Sequence, residues 1–255
     1  MRDGPLPVVP RSPGSIGDES PSIAPYSGGN QLLDALPAAD SATLERDLTI
    51  VALKAHQATH SIGQAMTHID FPIDAVLSVV ATLKNGATVE VGTVGNESFV
   101  ESEAALHSAV SSRTAFCQVE GRVGRMTLES FEGRMETSPV FARFMRHNVR
   151  ATLFSTQQFT VCNVQHNVLQ RSARWFAMTA DRVGRPHFTL TPEFLAIMLG
   201  VRPTAVSEAS DALQQTGAID YRRGVVTIVD RGILERVACE CYNACKASFA
   251  VSLLR

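Results

Sequence analysis

Short apolar runs separated by turn residues fill residues 48–128, and this pattern predicts β-strands. Asn85 and Gly86 stand between two of the runs, and this pair is typical of a tight β-hairpin turn. Several short strands joined by turns are typical of an antiparallel sandwich, jelly roll or small barrel. The strands are expected at residues 75–83, 88–91, 98–100, 114–119 and 124–128, after two short helices at 30–36 and 41–45.

A helical pattern without Gly or a further Pro follows at residues 138–164. Ser138 is a suitable N-cap, and Pro139 is favoured in a first helical turn. A helix of about 25 residues is about 37 Å long, and its apolar residues here occupy more than one face. We expect one face to pack on the β-domain and another on a second copy of the chain, with packing in a single core as the alternative.

Residues 191–213 have the pattern of two helices joined by a short turn. Thr191 can cap the first helix and Gly200 can end it, because glycine adopts the left-handed conformation readily. Pro203 can then open a second helix with Val206, Ala209 and Leu213 facing inward. This is the spacing of a helix-turn-helix, whose second helix enters the major groove of DNA. The outward side chains of the second helix are expected to be Arg202, Thr204, Ser207, Glu208, Ser210 and Asp211.

Residues 216–230 follow as two β-branched runs on either side of Arg222, Arg223 and Gly224. They predict a β-hairpin wing with two cations at its tip. An αα-hairpin of an ordinary helical protein would explain the two helices alone, but a wing directly after them favours a DNA-binding domain.

Composition and charge narrow the class of protein. Apolar residues make up 45% of the 255 positions and charged residues 19%, which allows a buried core. The net charge of −2 argues against a polybasic chain, but the charge is uneven. Residues 1–165 carry 12 basic and 17 acidic side chains (net −5), whereas residues 166–255 carry 11 and 8 (net +3). The positive C-terminal part agrees with a nucleic-acid partner there.

The sequence also bears on location. It has no run of 18 uncharged apolar residues and no apolar core near its start, so neither a membrane span nor a secretory signal is expected. Five cysteines, an odd number, favour reduced thiols and a cytoplasmic location over a disulfide framework. Pro, Gly and Ser fill 16 of the first 29 positions, which predicts a disordered tail at residues 1–29.

Several motifs between residue 30 and about residue 245 resemble those of the Crp/Fnr family of transcription regulators. They are FPIDAVLSVV (71–80), NGATVEVGTVG (85–95), RSARW (171–175), LTPEFLA (190–196) and ACECY (238–242). The resemblance implies an α+β protein with an N-terminal antiparallel β-roll or jelly roll, a long dimerisation helix and a C-terminal winged helix-turn-helix. The expected domains are a tail (1–29), a cyclic-nucleotide-binding-like β-roll sensor (30–137), the dimerisation helix (138–164), the winged helix-turn-helix (165–237) and a C-terminal tail (238–255).

The resemblance implies a regulator, not an enzyme, that binds a near-palindromic promoter site on double-stranded DNA as a homodimer and contacts RNA polymerase. The candidates for reading bases are Thr204, Ser207 and Glu208, of which Glu208 could accept a hydrogen bond from cytosine N4. The candidates for phosphate contacts are Arg202, Arg222 and Arg223. Asp211 also faces the expected DNA surface, where it and Glu208 would repel phosphates. A ligand- or protein-binding module with weakened DNA binding is therefore the alternative function.

The sensor domain departs from the pattern of cyclic-nucleotide-binding relatives. Those carry an adjacent Gly-Glu pair followed by Arg-Ser or Arg-Thr, whereas here Asn96 separates Gly95 from Glu97. Arg113 and Thr114 follow at a longer spacing than usual. Glu97, Arg113 and Thr114 are the candidate effector contacts, and a cyclic nucleotide is not expected as the ligand.

Metal cofactors are not expected from the sequence either. No cysteine precedes Cys117, which argues against the iron–sulfur cluster of oxygen-sensing relatives. No spacing pairs the histidines of the β-domain as haem ligands, so each is expected on the surface or in the core. If Cys239, Cys241 and Cys245 share one helix, Cys239 points roughly 200° away from Cys241, and the thiols would not converge on an ion. Buried thiols are expected, with a Cys241–Cys245 redox pair as the alternative. Phosphate-binding, zinc-hydrolase and serine-hydrolase motifs are absent from the sequence.

Overall fold

The N-terminal part of the chain is an antiparallel β-roll, in agreement with the short apolar runs. The computed structural model describes residues 26–44 and 46–253. The strands of the roll are β1 (Thr49–Leu53), β2 (Ala58–His60), β3 (His68–Pro72), β4 (Val76–Thr82), β5 (Thr88–Val94), β6 (Thr114–Val119) and β7 (Gly121–Thr127). They form two sheets, of order β1-β7-β3 and β2-β6-β4-β5. Leu53, Leu77 and Val123 are among the apolar side chains of the two sheets that pack together in a buried layer.

The β4–β5 hairpin forms where the sequence predicts it. Thr82 pairs with Thr88, and Gly86 adopts a φ of 87° in the turn. The prediction of a strand at residues 98–100 is wrong. This segment is irregular, and the hydrogen bonds of its polar groups do not belong to a sheet ladder. The Ser98 hydroxyl donates to Asn148 at 2.6 Å, and the Val100 N–H donates to the Asp70 carbonyl at 2.9 Å.

Two short helices precede the roll and the other α-helices follow it, and the longest of them is the helix expected after Ser138. They are α1 (Gln31–Asp34), α2 (Ala38–Leu44), α3 (Leu128–Thr137), α4 (Pro139–Gln165), α5 (Val168–Val183), α6 (Pro192–Leu199), α7 (Pro203–Gln215), α8 (Arg231–Val237) and α9 (Cys241–Ser252), with a 3-10 helix at Ser102–Leu106. The Ser138 hydroxyl caps α4 by accepting from the Phe141 N–H at 3.1 Å. Phe141, Phe144 and Met145 bury the first half of α4 in the core of the β-roll.

The C-terminal domain combines α5 to α8 with a small antiparallel sheet. Its strands are β8 (His187–Thr189), β9 (Ile219–Arg222) and β10 (Val225–Ile228), in the order β8-β10-β9. This domain packs directly on the β-roll, because Phe116 of β6 meets Phe194 of α6 edge to face, with ring centroids 5.8 Å apart. The Ser78 hydroxyl of β4 also contacts the Met198 sulfur at 3.5 Å. Among the described residues, no helix has the length and apolar character needed to cross a bilayer.

Both predicted tails need correction. Residues 1–25 lie outside the described residues, but Tyr26 is buried and its hydroxyl donates to Asp34 at 2.9 Å. At the other end, residues 241–252 form α9, which packs along α4 and buries Tyr242 and Phe249. The rings of Tyr26, Tyr242 and Phe249 bury a large apolar surface, whereas the residues around them in the sequence are small or polar.

Candidate nucleic-acid interface

Two capped helices build the helix-turn-helix. The Thr191 hydroxyl accepts from the Phe194 N–H at 3.3 Å and so caps α6. Gly200 ends α6 with a φ of 64°, which turns the chain toward α7. Val206, Ala209 and Leu213 of α7 are buried, as the spacing predicts. The turn at Gly200 and the buried side chains of α7 together determine which face of α7 is exposed to solvent.

The exposed face of α7 is polar and short of cations. Its exposed side chains at the expected positions are Thr204, Ser207, Glu208 and Asp211, and Arg202 is exposed just before the helix. The Ser207 hydroxyl donates to the Pro203 carbonyl at 3.2 Å. Arg202 is the N-cap residue, and its guanidinium, which carries only donors, makes no capping bond to the N–H groups of the helix start. Ser210 is buried, 2% exposed, so the expectation that it faces outward is wrong.

The wing tip carries its two arginines in different electrostatic settings. Arg223 (φ 51°) and Gly224 (φ 76°) form the tight turn between β9 and β10. The Arg222 guanidinium binds the Asp220 carboxylate at 2.8 Å, and both side chains are exposed. Within the described part of the chain, Arg223 forms no such ion pair. The wing therefore presents one paired and one unpaired cation, where the sequence suggests two equal ones.

A second candidate site is a cavity of about 340 Å³ between the β-roll and α4. Arg113 lines it, together with the carboxylates Glu101 and Glu103. Phe159 of α4 and Phe249 of α9 line the cavity from the helices. Glu103 also accepts a hydrogen bond from Ser112 at 2.5 Å. The lining thus holds two carboxylates and one guanidinium, and Glu101 also lies 3.3 Å from Nδ1 of His60.

The structure does not bring the three candidate effector contacts together on this cavity. Arg113 lines it, but the Thr114 hydroxyl accepts from the Ile62 N–H at 3.3 Å. Glu97 instead binds Arg182 of α5, with 2.7 Å between the carboxylate and the guanidinium. Arg182 is 5% exposed, so this ion pair is buried between the two domains.

Two histidines of the β-roll lie side by side, although no sequence spacing pairs them. The His60 and His68 rings have centroids 4.5 Å apart, and each approaches the buried Asp70 carboxylate, at 3.5 and 3.6 Å. Burial alone would raise the pKa of Asp70. The neighbouring His60 and His68 rings and the Arg125 guanidinium outweigh burial and hold this pKa well below 3.8. Both histidines are largely buried, as expected of core residues.

Comparison with known proteins bears on the C-terminal domain first. Residues 170–237 match the model of the Crp-like helix-turn-helix domain. The C-terminal domain is a Crp-like helix-turn-helix domain. No curated protein matches the chain by sequence.

Solved structures extend the likeness from the Crp-like helix-turn-helix domain to the whole fold. A CRP-family transcriptional regulator from Thermus thermophilus superposes with a TM-score of 0.61 at 18% identity, covering 74% of this chain and 96% of that one. FixK2 from Bradyrhizobium japonicum gives 0.59 at 13% identity, covering 75% and 98%. The c-di-GMP-responsive global regulator CLP of Xanthomonas campestris gives 0.57 at 15% identity, covering 75% and 100%. The chain has the fold of a Crp/Fnr-type transcriptional regulator.

The sequence patterns do not indicate some of the charged residues in and around the Crp-like helix-turn-helix domain. Arg185, in the turn before β8, is exposed and adds a cation beside the wing sheet. Asp220 forms an ion pair with Arg222. The sequence could have indicated this pair, because the two residues are two positions apart on one strand and alternate residues share a face. Arg182 lies 85 residues from its partner Glu97, and no local pattern indicates such a pair.

Proposed function

We propose that the chain is a cytoplasmic transcription regulator, not an enzyme, that binds a near-palindromic DNA site as a homodimer. The observation that carries this proposal is the exposed polar face of α7 followed by the wing, inside a domain that matches the Crp-like helix-turn-helix. Thr204, Ser207 and Glu208 would read base edges in the major groove. RNA polymerase is the further partner that this role implies.

The phosphate contacts come from residues beside α7. Arg202 at the helix start and Arg223 at the wing tip are exposed cations that would position the domain on the DNA backbone. Arg222 contributes less, since Asp220 already neutralises it. Asp211 and Glu208 oppose the phosphates, so we expect affinity to depend on both half-sites being bound at once.

The dimer contact lies on the second half of α4. Leu153, Phe154, Val161 and Val164 are exposed there, at 58%, 39%, 50% and 75%. At 100° per residue these four side chains fall within a stripe of about 100° on one side of the helix. Such a stripe is suited to a symmetric contact with the same helix of a second copy.

The regulating signal would act through the cavity that Arg113 lines. Thr152 and Phe159 of α4 and Phe249 of α9 form part of its wall. A ligand there would touch the proposed dimer helix and the helix packed beside it, and so could change how two winged domains are spaced. Because Glu101 and Glu103 outnumber Arg113, we propose a neutral or cationic ligand in preference to a cyclic nucleotide.

One observation favours the second candidate function, a ligand- or protein-binding module with weakened DNA binding. The exposed face of α7 holds Glu208 and Asp211 and no cation, and Asp220 pairs with one of the two wing arginines. A module of this kind would keep the cavity and lose the salt-dependent attraction to DNA.

Retention on immobilised duplex DNA separates the two functions. A regulator should be retained at low salt and should elute steeply as salt rises, because phosphate contacts release counterions. Arg223→Glu should elute at lower salt than wild type. Arg143→Glu, an exposed residue of α4 with the same change in net charge, should elute as wild type does. Equal elution of the two variants, or no retention of wild type, would favour the binding module.

A further inference from the structure

The end of α4 and the start of α9 bring three cysteines and one histidine together. Cys162 lies in the last turn of α4, and His166 at its C-cap is four residues later, on the same side of the helix. Cys239 stands in the link between α8 and α9, and Cys241 is the first residue of α9. One ligand atom from each of the four residues lies within 4.8 Å of all the others.

This arrangement corrects the geometry expected from the sequence. Cys239, Cys241 and Cys245 do not share one helix, because α9 begins only at Cys241. Cys239 is therefore free to point to the same place as Cys241, and Cys162 joins them from α4 in one buried cluster. Cys245, one turn into α9, is not part of the group.

The distances suit a single tetrahedral ion. With Zn–S bonds of about 2.3 Å and Zn–N bonds of about 2.0 Å, ligands at the tetrahedral angle stand about 3.8 Å apart for S···S and about 3.5 Å apart for S···N. The Sγ atoms of Cys162 and Cys239 are 3.5 Å apart, and Cys241 Sγ lies 3.6 Å from His166 Nδ1. An iron–sulfur cluster would bind the cysteines through different iron atoms and hold their sulfurs farther apart.

The second nitrogen of the histidine has the partner that zinc sites commonly provide. His166 Nε2 lies 3.0 Å from a carboxylate oxygen of Glu240. A proton on Nε2 leaves the lone pair of Nδ1 pointing toward the sulfurs. A carboxylate behind a ligating imidazole fixes its orientation and strengthens it as a ligand.

Two buried arginines supply charge that matches a thiolate site. Arg171 and Arg174 of α5 are 7% and 5% exposed, and the Nε atom of each lacks a hydrogen-bond partner. Neither forms an ion pair with a carboxylate of the described residues. Their positive charges act on Cys162. Zn²⁺ with three thiolates and a neutral imidazole carries a net charge of −1, which these guanidinium groups would offset.

The other group of possible ligands in the described residues is poorer. His60, His68 and Asp70 also converge, but both oxygens of Asp70 accept hydrogen bonds from Arg125, at 2.7 and 3.0 Å. A metal ion there would have to displace this buried ion pair.

We infer that Cys162, His166, Cys239 and Cys241 bind one Zn²⁺ ion in a closed structural site. The ion ties the end of α4 to the start of α9. Phe249, farther along α9, lines the cavity that Arg113 also lines, so the ion would hold one wall of that cavity in place. Four protein ligands leave no open position for catalysis, which makes the role structural.

Metal analysis of the full-length protein, purified with a thiol reductant and loaded with Zn²⁺, tests this site. We expect one zinc ion per chain in wild type and in the control Cys245→Ser, a buried cysteine outside the group. Cys239→Ser should lose at least nine-tenths of this metal. The Co²⁺-loaded wild type should show tetrahedral ligand-field absorption and thiolate charge-transfer absorption, and Cys239→Ser should lose both.

A second variant keeps the test valid if Cys239→Ser does not fold. The Glu240 side chain is 78% exposed, so Glu240→Gln should fold normally. This variant should bind one zinc ion about 10–100-fold more weakly than wild type in competition with a chromophoric chelator. The inference is overturned if wild type takes up no zinc, if Glu240→Gln binds as tightly as wild type, or if iron with acid-labile sulfide occupies the protein. A Cys162–Cys239 disulfide in the reduced, zinc-loaded wild type would overturn it as well.

Discussion

Arg182 of the Crp-like helix-turn-helix domain reaches across to Glu97 of the β-roll, with its Nη2 atom 2.7 Å from Oε1 of the carboxylate. Gly95 makes room for this contact, because a Cβ atom there would lie 2.3 Å from Cγ of Arg182. Glu97, a candidate effector contact in the sequence, thus joins the two domains instead. This ion pair is therefore a buried contact between the β-roll and α5.

Loss of the carboxylate at position 97 should destabilise the whole chain. Glu97→Gln leaves the Arg182 guanidinium buried without its counter-charge, and breaking such a pair costs about 3–5 kcal/mol. Urea unfolding measures this loss as a lower free energy of unfolding. Glu235→Gln removes the exposed partner of Arg231 and serves as the control, with an expected loss below about 1 kcal/mol. Equal losses in the two variants would mean that Glu97 does not hold the domains together.

The wing arginines should differ in their contribution to DNA affinity. Arg223→Ala should weaken binding about equally on all duplex sequences and lower the salt slope by about 1, because one phosphate contact is lost. Arg222→Ala should change the slope less, since Asp220 pairs with it. Asp220→Asn should tighten binding by releasing Arg222. Fluorescence anisotropy on a labelled duplex at several salt concentrations measures all three salt slopes. If the double variant Arg222→Ala, Arg223→Ala kept the wild-type affinity and slope, the wing would not be part of the DNA interface.

The local features of the fold were predictable because they depend on neighbouring residues. The hairpin at Asn85 and Gly86, the cap at Thr191 and the helix end at Gly200 all follow from short-range stereochemistry. The inward stripe of α7 follows from helical spacing. Ser210 was expected to face outward, but it lies four residues after Val206 and three before Leu213, on the same side of the helix, and is buried with them.

The long-range contacts were not predictable from the sequence. Cys162 and Cys239 are 77 positions apart, and they meet because α9 returns along α4. The C-terminal segment was expected to be a tail, since nothing in its own spacing shows which surface covers Tyr242 and Phe249. The packing of α9 along α4 creates both the cysteine group and one wall of the cavity that Arg113 lines.

Acid should weaken the β-roll through Asp70. Its pKa is lower in the folded chain than the ordinary 3.8, so ionised Asp70 stabilises the fold above that value. This stability is lost as the pH falls through 3.8 toward the lower folded pKa, because the unfolded chain takes up the proton first. In urea unfolding, the difference in free energy between wild type and Asp70→Asn should shrink between about pH 5 and pH 2. A difference that stays constant over this range would contradict the assignment.

Charges on the second half of α4 should dissociate the dimer. Leu153→Glu with Val164→Glu places two carboxylates in the exposed apolar stripe. In a symmetric dimer they would meet the same stripe, and the same carboxylates, of the second copy. Sedimentation velocity should show a dimer for wild type and a monomer for this double variant. Leu83→Glu, at an apolar position 60% exposed beside the β4–β5 turn, should remain dimeric. A double variant that still sediments as a dimer would show that the contact lies elsewhere.

Selection of binding sites from random duplex DNA by the purified full-length protein, with and without cell extract, tests the central claim most directly. The account predicts enrichment of a two-fold motif whose half-sites are about 10 base pairs apart, centre to centre, or a multiple of this spacing. Glu208→Ala should relax the preference at one base pair of each half-site by about 1–3 kcal/mol. Enrichment of no motif under either condition would contradict a sequence-specific regulator.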